Sequence, residues 1–187
     1  MKYQMHCESD LNSLSHPLKL LSFSDAYLDS ASRLCIVLKR SPRKSNYSRG
    51  AVVMQLMVHA IELFLKGTIL EKDPHAQIGH HDIQALSKQY KNLYKEKKYT
   101  FHAPFTWDEL GLNEIYGPEK VQNVKRFIKE SKRRNPLGQH HRYPGNLEGQ
   151  PWDSIIGFEP GSCLVEIKAL KADIARLTNL IFPANTV

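Results

Sequence analysis

Arg134-Asn135-Pro136-Leu137-Gly138-Gln139-His140 puts a permanent cation, an amide and an imidazole within one short span. An arginine guanidinium forks onto phosphate. Histidine titrates near neutral pH and moves protons. RNA carries its own nucleophile, the 2′-hydroxyl, so cutting it needs proton transfer and charge neutralisation but no metal. In that chemistry His140 is the general base or acid. Arg134 neutralises charge on the phosphorane-like transition state. Asn135 orients His140 or the phosphate by hydrogen bonds. Lys129, Lys132, Arg133, His141 and Arg142 flank the span and would hold an RNA backbone, with strong salt dependence. His141 is the next base in line. The competing reading is plain: Arg134 and His140 cap a helix and line a basic surface.

The spacing alone decides little. An Arg followed by His after four to six residues arises roughly once by chance in 187 residues with nine His. Requiring Asn directly after the Arg and four residues between Asn and His drops that to roughly 0.02.

The surroundings favour a polyanion. Net charge is +7, which biases a chain of this size toward anionic partners. From Lys125 to Arg142 there are seven cations against one anion, Glu130. Two further basic runs, Lys39 to Arg49 and Lys88 to Lys98, read equally well as solvated helix ends.

Helices must mount this span. At 41% hydrophobic and 24% charged, the chain can bury a real core. Residues 1–24 read as an N-terminal extension, with Leu14, Leu18 and Leu21 in a short helix or docked tail. A helical domain then fills residues 25–187. Ser24-Asp25 opens a helix carrying Leu28, Ala31, Leu34, Cys35 and Leu38, and Ser41-Pro42 stops it. Tyr47 to Lys72 is the strongest helix. Its Val53, Met57, Ala60, Ile61, Phe64, Leu65 and Ile69 cover more than one face, so it is central. Asp82 caps a helix with Ile83, Leu86, Tyr90, Leu93 and Tyr94 as its stripe. Thr106 to Leu110 reads as one helical turn. Gly117-Pro118-Glu119 opens a helix that runs into the basic span. Tyr143 to Pro160 is an irregular insertion, with Ser154 to Phe158 extended. Gly161-Ser162 starts the last helix, with Leu164, Ile167, Leu170, Ile174, Leu177 and Leu180 on one face. The expected fold is all-α, a bundle of four to five helices.

Other constellations are weaker. Glu62 and Lys66 sit one turn apart in the order that favours an ion pair. The plain reading is a pair at the edge of the apolar face; the functional one is a Glu62 aimed at the basic span. His59 reads as a satisfied core histidine. His80-His81-Asp82 lacks a partner at metal-ligand spacing, so no metal and no cofactor is expected. Cys7, Cys35 and Cys163 form no close pair, which fits a reducing compartment. Ala51 to Leu65 is broken by Gln55, His59 and Glu62 and is too short to span a bilayer. With no apolar signal core at the start, the expected location is cytoplasmic.

Three pieces resemble the HEPN superfamily (higher eukaryotes and prokaryotes nucleotide-binding). They are Ala60 to Lys66, with its acid, apolar pair and Lys; Gly79-His80-His81-Asp82-Ile83 with Leu86; and Arg134-Asn135-x4-His140, similar to the family's Rx4–6H motif. The resemblance spans about residues 25–182. It implies a small all-α domain and, in catalytic members, a metal-independent endoribonuclease acting on single-stranded RNA, often a toxin or defence effector. It implies a homodimer whose two motifs share one cleft, with an antitoxin or nucleotidyltransferase as a further partner. The alternative it carries is a non-catalytic module that binds nucleotide, nucleic acid or a partner protein. Pro136 and Gly138 depart from the family by making the motif loop-like.

Overall fold

The computed structural model describes residues 9–44, 46–104 and 158–183. The chain is an all-α bundle, with no strand among the described residues. A single turn, α1 (Ser9–Asn12), precedes α2 (His16–Arg40), α3 (Tyr47–Lys72), α4 (Ile83–Leu93) and α5 (Pro160–Ile181). The turn at Thr106 to Leu110, the helix after Gly117 and the insertion from Tyr143 to Gly157 lie outside the described residues.

Local rules account for most of the ends. Asn46 caps α3 by accepting from the Arg49 backbone N–H at 3.1 Å. Asp82 accepts from Gln84 N at 2.9 Å and Ala85 N at 3.2 Å, as expected for the cap of α4. The last helix starts slightly earlier than Gly161. Its cap is Glu159, whose carboxylate takes the Gly161 and Ser162 N–H groups, with Pro160 in the first turn.

The start of α2 differs from expectation. The helix opens after Ser15 with Pro17 in its first turn, so Leu18 and Leu21 belong to the helix that holds Leu28 and Cys35. Ser24 is no cap. It is fully buried, and its hydroxyl donates to the Ala60 carbonyl at 2.7 Å. That bond spans two helices and outweighs the capping preference.

The short link 41–46 makes α2 and α3 antiparallel neighbours. Leu28, Ala31, Cys35 and Leu38 meet Val53, Met57, Ile61, Phe64 and Leu65 in one core. At the far end the two backbones approach closely. A Cβ built on Gly67 would lie 2.3 Å from a Leu21 methyl and 2.9 Å from the Pro17 carbonyl oxygen. The carbonyl belongs to helix backbone and yields little. Gly67→Ala therefore loses about 1–3 kcal/mol to overpacking, although Ala is the better helix former by about 1 kcal/mol. Urea unfolding of the variant measures the balance, and a gain in stability would show that the helices can part freely.

Helix α5 lies along α2 in the opposite direction. Cys35 Sγ donates to the Pro160 carbonyl at 3.2 Å, while Lys171 pairs with Asp29 further along. Its buried stripe is Cys163, Ile167, Leu170, Ile174 and Leu177. Leu180 is 40% exposed and Leu164 only half-buried, so the stripe is drawn by Cys163 and ends sooner than expected.

Helix α3 sits at the centre. By length and composition its 26 residues could cross a membrane, more than the shorter apolar window read from the sequence, and 67% of its most apolar window is buried inside the bundle.

Candidate functional site

On α3 the residues Gln55, His59, Glu62 and Lys66 recur at i, i+4, i+7 and i+11. That spacing places them in one polar stripe on an otherwise apolar helix. Glu62 is its focus. The residue is 3% exposed, near the middle of the central helix. A buried carboxylate is costly unless it is paired, and Glu62 is paired repeatedly. Its Oε1 accepts from Lys66 Nζ at 2.7 Å and from His81 Nδ1 at 2.9 Å. Its Oε2 lies 3.6 Å from His59 Nδ1.

His81 comes from outside the helix. After Lys72 the chain folds back along α3, with Ala76 and Ile78 packed against the core. The return brings His81 level with Glu62, one residue before the Asp82 cap that starts α4. Tyr94 then closes the far end of α4, its hydroxyl donating to the Thr68 carbonyl at 2.8 Å. The link that carries His81 thus runs between α3 and an α4 whose far end is tied back to α3.

Electrostatics fix the state of the cluster. Burial pushes the Glu62 carboxyl up, but the contacts with His59, Lys66 and His81 outweigh it and hold the pKa at about 2. The group is a carboxylate at any ordinary pH. A carboxylate only accepts hydrogen bonds, so Nδ1 of His81 must carry a proton. In the neutral ring that leaves Nε2 as a bare acceptor. The His81 side chain is 64% exposed, against 4% for Glu62. The arrangement is a buried carboxylate orienting an imidazole that solvent can reach.

His59 is not the satisfied core histidine expected from its position. Its ring packs edge-on against Tyr27, with centroids 4.6 Å apart. Its Nδ1 is buried, and at 3.6 Å from Glu62 it is too far for a hydrogen bond. The Gln55 side-chain oxygen, one turn earlier, is also buried without a partner. Glu62 and Lys66 do form the expected pair, but it lies in the interior and not at the edge of the apolar face.

Of the residues singled out in the sequence, Glu62 lies within the described structure. Arg134, Asn135, His140, Lys129, Lys132, Arg133, His141 and Arg142 lie outside it. In the sequence His81 stands out as a metal-ligand candidate and as part of the Gly79–Ile83 piece of the resemblance, not as a partner of Glu62. No group of His, Cys, Asp and Glu among the described residues has metal-binding geometry, and the Lys66 ammonium on Glu62 disfavours a second cation there. The stripe at 55, 59, 62 and 66 was legible as a periodicity of polar residues. Nothing local signals that His81 bonds to a residue 19 positions earlier.

A separate cleft of about 390 Å³ opens between Thr100 and Pro104 and the outer face of α5. Glu166 and Asp173 line it, and its Arg176 is bound to Asp173 and to the Lys98 and Thr100 carbonyls. Its acidic lining is a poor match for phosphate.

No family model, no curated protein and no solved structure matches this chain.

Proposed function

We propose that the chain is a metal-independent endoribonuclease of HEPN type, working as a homodimer on single-stranded RNA. The reading assigns proton transfer to His140, charge neutralisation to Arg134 and orientation to Asn135. Lys129, Lys132, Arg133, His141 and Arg142 hold the phosphate backbone. Glu62 supports the same chemistry from α3. One loop supplies one Arg and one His, whereas attack by the 2′-hydroxyl uses a base and an acid. A two-fold pair of loops supplies both.

The observation that carries this reading is the Glu62 cluster. A buried ion pair stabilises a fold weakly, and apolar residues of similar volume often do better. A carboxylate, a lysine and a histidine on the most buried helix, joined by a second histidine from the link that follows it, are therefore more than the fold needs for stability. Ionisable groups gathered in this way mark sites where protons are handled. The RN-x4-H span and its six neighbouring cations supply the RNA side of the reading.

Incubation with single-stranded RNA in EDTA tests it, with sedimentation of the active sample at moderate salt. Cleavage to a cyclic or 3′ phosphate by a dimeric species is expected. Cleavage only with Mg²⁺ would defeat the mechanism, and activity in a clean monomer would defeat the shared cleft. RNA binding without cleavage would select the non-catalytic module.

A further inference from the structure

We propose that His81, held by Glu62, is a further catalytic residue for RNA cleavage, its Nε2 facing the substrate and accepting the 2′-hydroxyl proton. The proposal rests on the ribonuclease reading above, and it uses only α3 and the link into α4.

Three features of the geometry point there. The first is direction. Nδ1 bonds Glu62 Oε1 at 2.9 Å, so the opposite edge of the ring, which bears Nε2, turns away from the buried carboxylate. The side chain is 64% exposed, so that edge is reachable. The second is redundancy. Lys66 already neutralises Glu62 at 2.7 Å, so the His81 bond is not required to balance the buried charge. What it adds is a fixed tautomer and a fixed ring plane. A carboxylate holding the far nitrogen is the arrangement by which hydrolytic sites keep an imidazole ready as a base. The third is mounting. His81 sits between a link packed on the core by Ala76 and Ile78 and a helix capped by the next residue, Asp82. A proton-transfer group must be held near its target position, and here a solvent-facing side chain is mounted on a restrained backbone.

The step balances without an outside reagent. Nε2 takes the 2′-hydroxyl proton as the 2′ oxygen bonds to phosphorus. The bond from phosphorus to the 5′ oxygen breaks, and that oxygen takes a proton from the acid, the role the ribonuclease reading leaves to His140. His81 then gives up its extra proton through water, and the spent acid regains one. The products are a 2′,3′-cyclic phosphate and a 5′-hydroxyl.

The alternative is that His81 only pins the link to α3. His81→Asn separates the two roles, because an Asn amide can donate to Glu62 roughly where Nδ1 does but offers no base at the Nε2 position. Imidazole spectra of histidine-labelled full-length protein at mildly alkaline pH come first, with and without a 2′-O-methyl oligoribonucleotide, which lacks the attacking hydroxyl. We expect a protonated Nδ1 and a bare Nε2 on His81, and an Nε2 resonance that moves when the oligonucleotide binds. In cleavage assays His81→Asn should melt like the wild type, keep its KM and lose about 10²–10⁴-fold in kcat. A proton on Nε2, an Nε2 resonance unmoved at saturating oligonucleotide, or an Asn variant as fast as the wild type each overturns the proposal. A wild-type protein that cuts no RNA overturns the ribonuclease reading instead, and the spectra then decide whether His81 faces nucleic acid.

Discussion

His140→Ala is expected to slow RNA cleavage by about 10²–10⁴-fold, the usual worth of a positioned proton-transfer group, and to leave RNA affinity nearly intact. Alanine removes the imidazole but none of the cations between Lys129 and Arg142 that would hold the backbone. Arg134→Ala should behave differently. Its guanidinium meets the phosphate in the ground state and again as charge builds in the transition state, so binding and rate both fall. Single-turnover cleavage and equilibrium binding at one fixed salt concentration separate the two patterns. Salt must be fixed because phosphate contacts make affinity steeply salt-dependent. Wild-type cleavage by His140→Ala would show that the proton goes elsewhere, with His141 as the neighbouring candidate.

The second large effect concerns stability. Glu62→Ala is expected to cost about 3–5 kcal/mol, the range for removing one partner of a buried ion pair. Lys66, itself only 9% exposed, is then left as a buried charge without its carboxylate. Replacing both, as Glu62→Leu with Lys66→Met, should restore most of the loss, since apolar pairs of similar volume fill such a site well. If the double variant folds like the wild type and no longer cuts RNA, the charges serve the reaction. If it folds and cuts normally, Glu62 has no part in the chemistry.

The same carboxyl predicts an acid response of definite sign. Its folded pKa of about 2 lies below the ordinary value of 4.5. The stability it contributes is present in full above about pH 4.5. It is lost as pH falls toward 2, up to about 3 kcal/mol in all. Urea midpoints followed through that window should fall more steeply for the wild type than for Glu62→Gln, which has no proton to take up there.

How much of this was legible depended on the range of the interaction involved. The span of α3, Tyr47 to Lys72, followed from its apolar period of helical spacing, and the structure adds Asn46 as its cap. Its core positions, from Val53 to Ile69, are buried as their spacing requires. The Asp82 cap and the Tyr90 and Tyr94 positions of α4 followed from the same kind of evidence. The beginning of α2 did not. Ser24-Asp25 has the composition of a cap, yet Ser24 spends its hydroxyl on Ala60, 36 residues away. The Arg134–His140 span, the most specific chemical signal in the chain, lies outside the described residues.

By itself, then, the sequence determined an all-α chain with a central apolar helix and a polar stripe along it, because helical period and capping act over a few residues. Only the tertiary structure decided that the stripe has an outside partner. The fold-back after Lys72 sets the exposed ring of His81 against the buried carboxylate of Glu62. Nothing in the spacing of the two residues encodes that contact. It depends on how Ala76 and Ile78 seat the returning chain on a core that several helices build together.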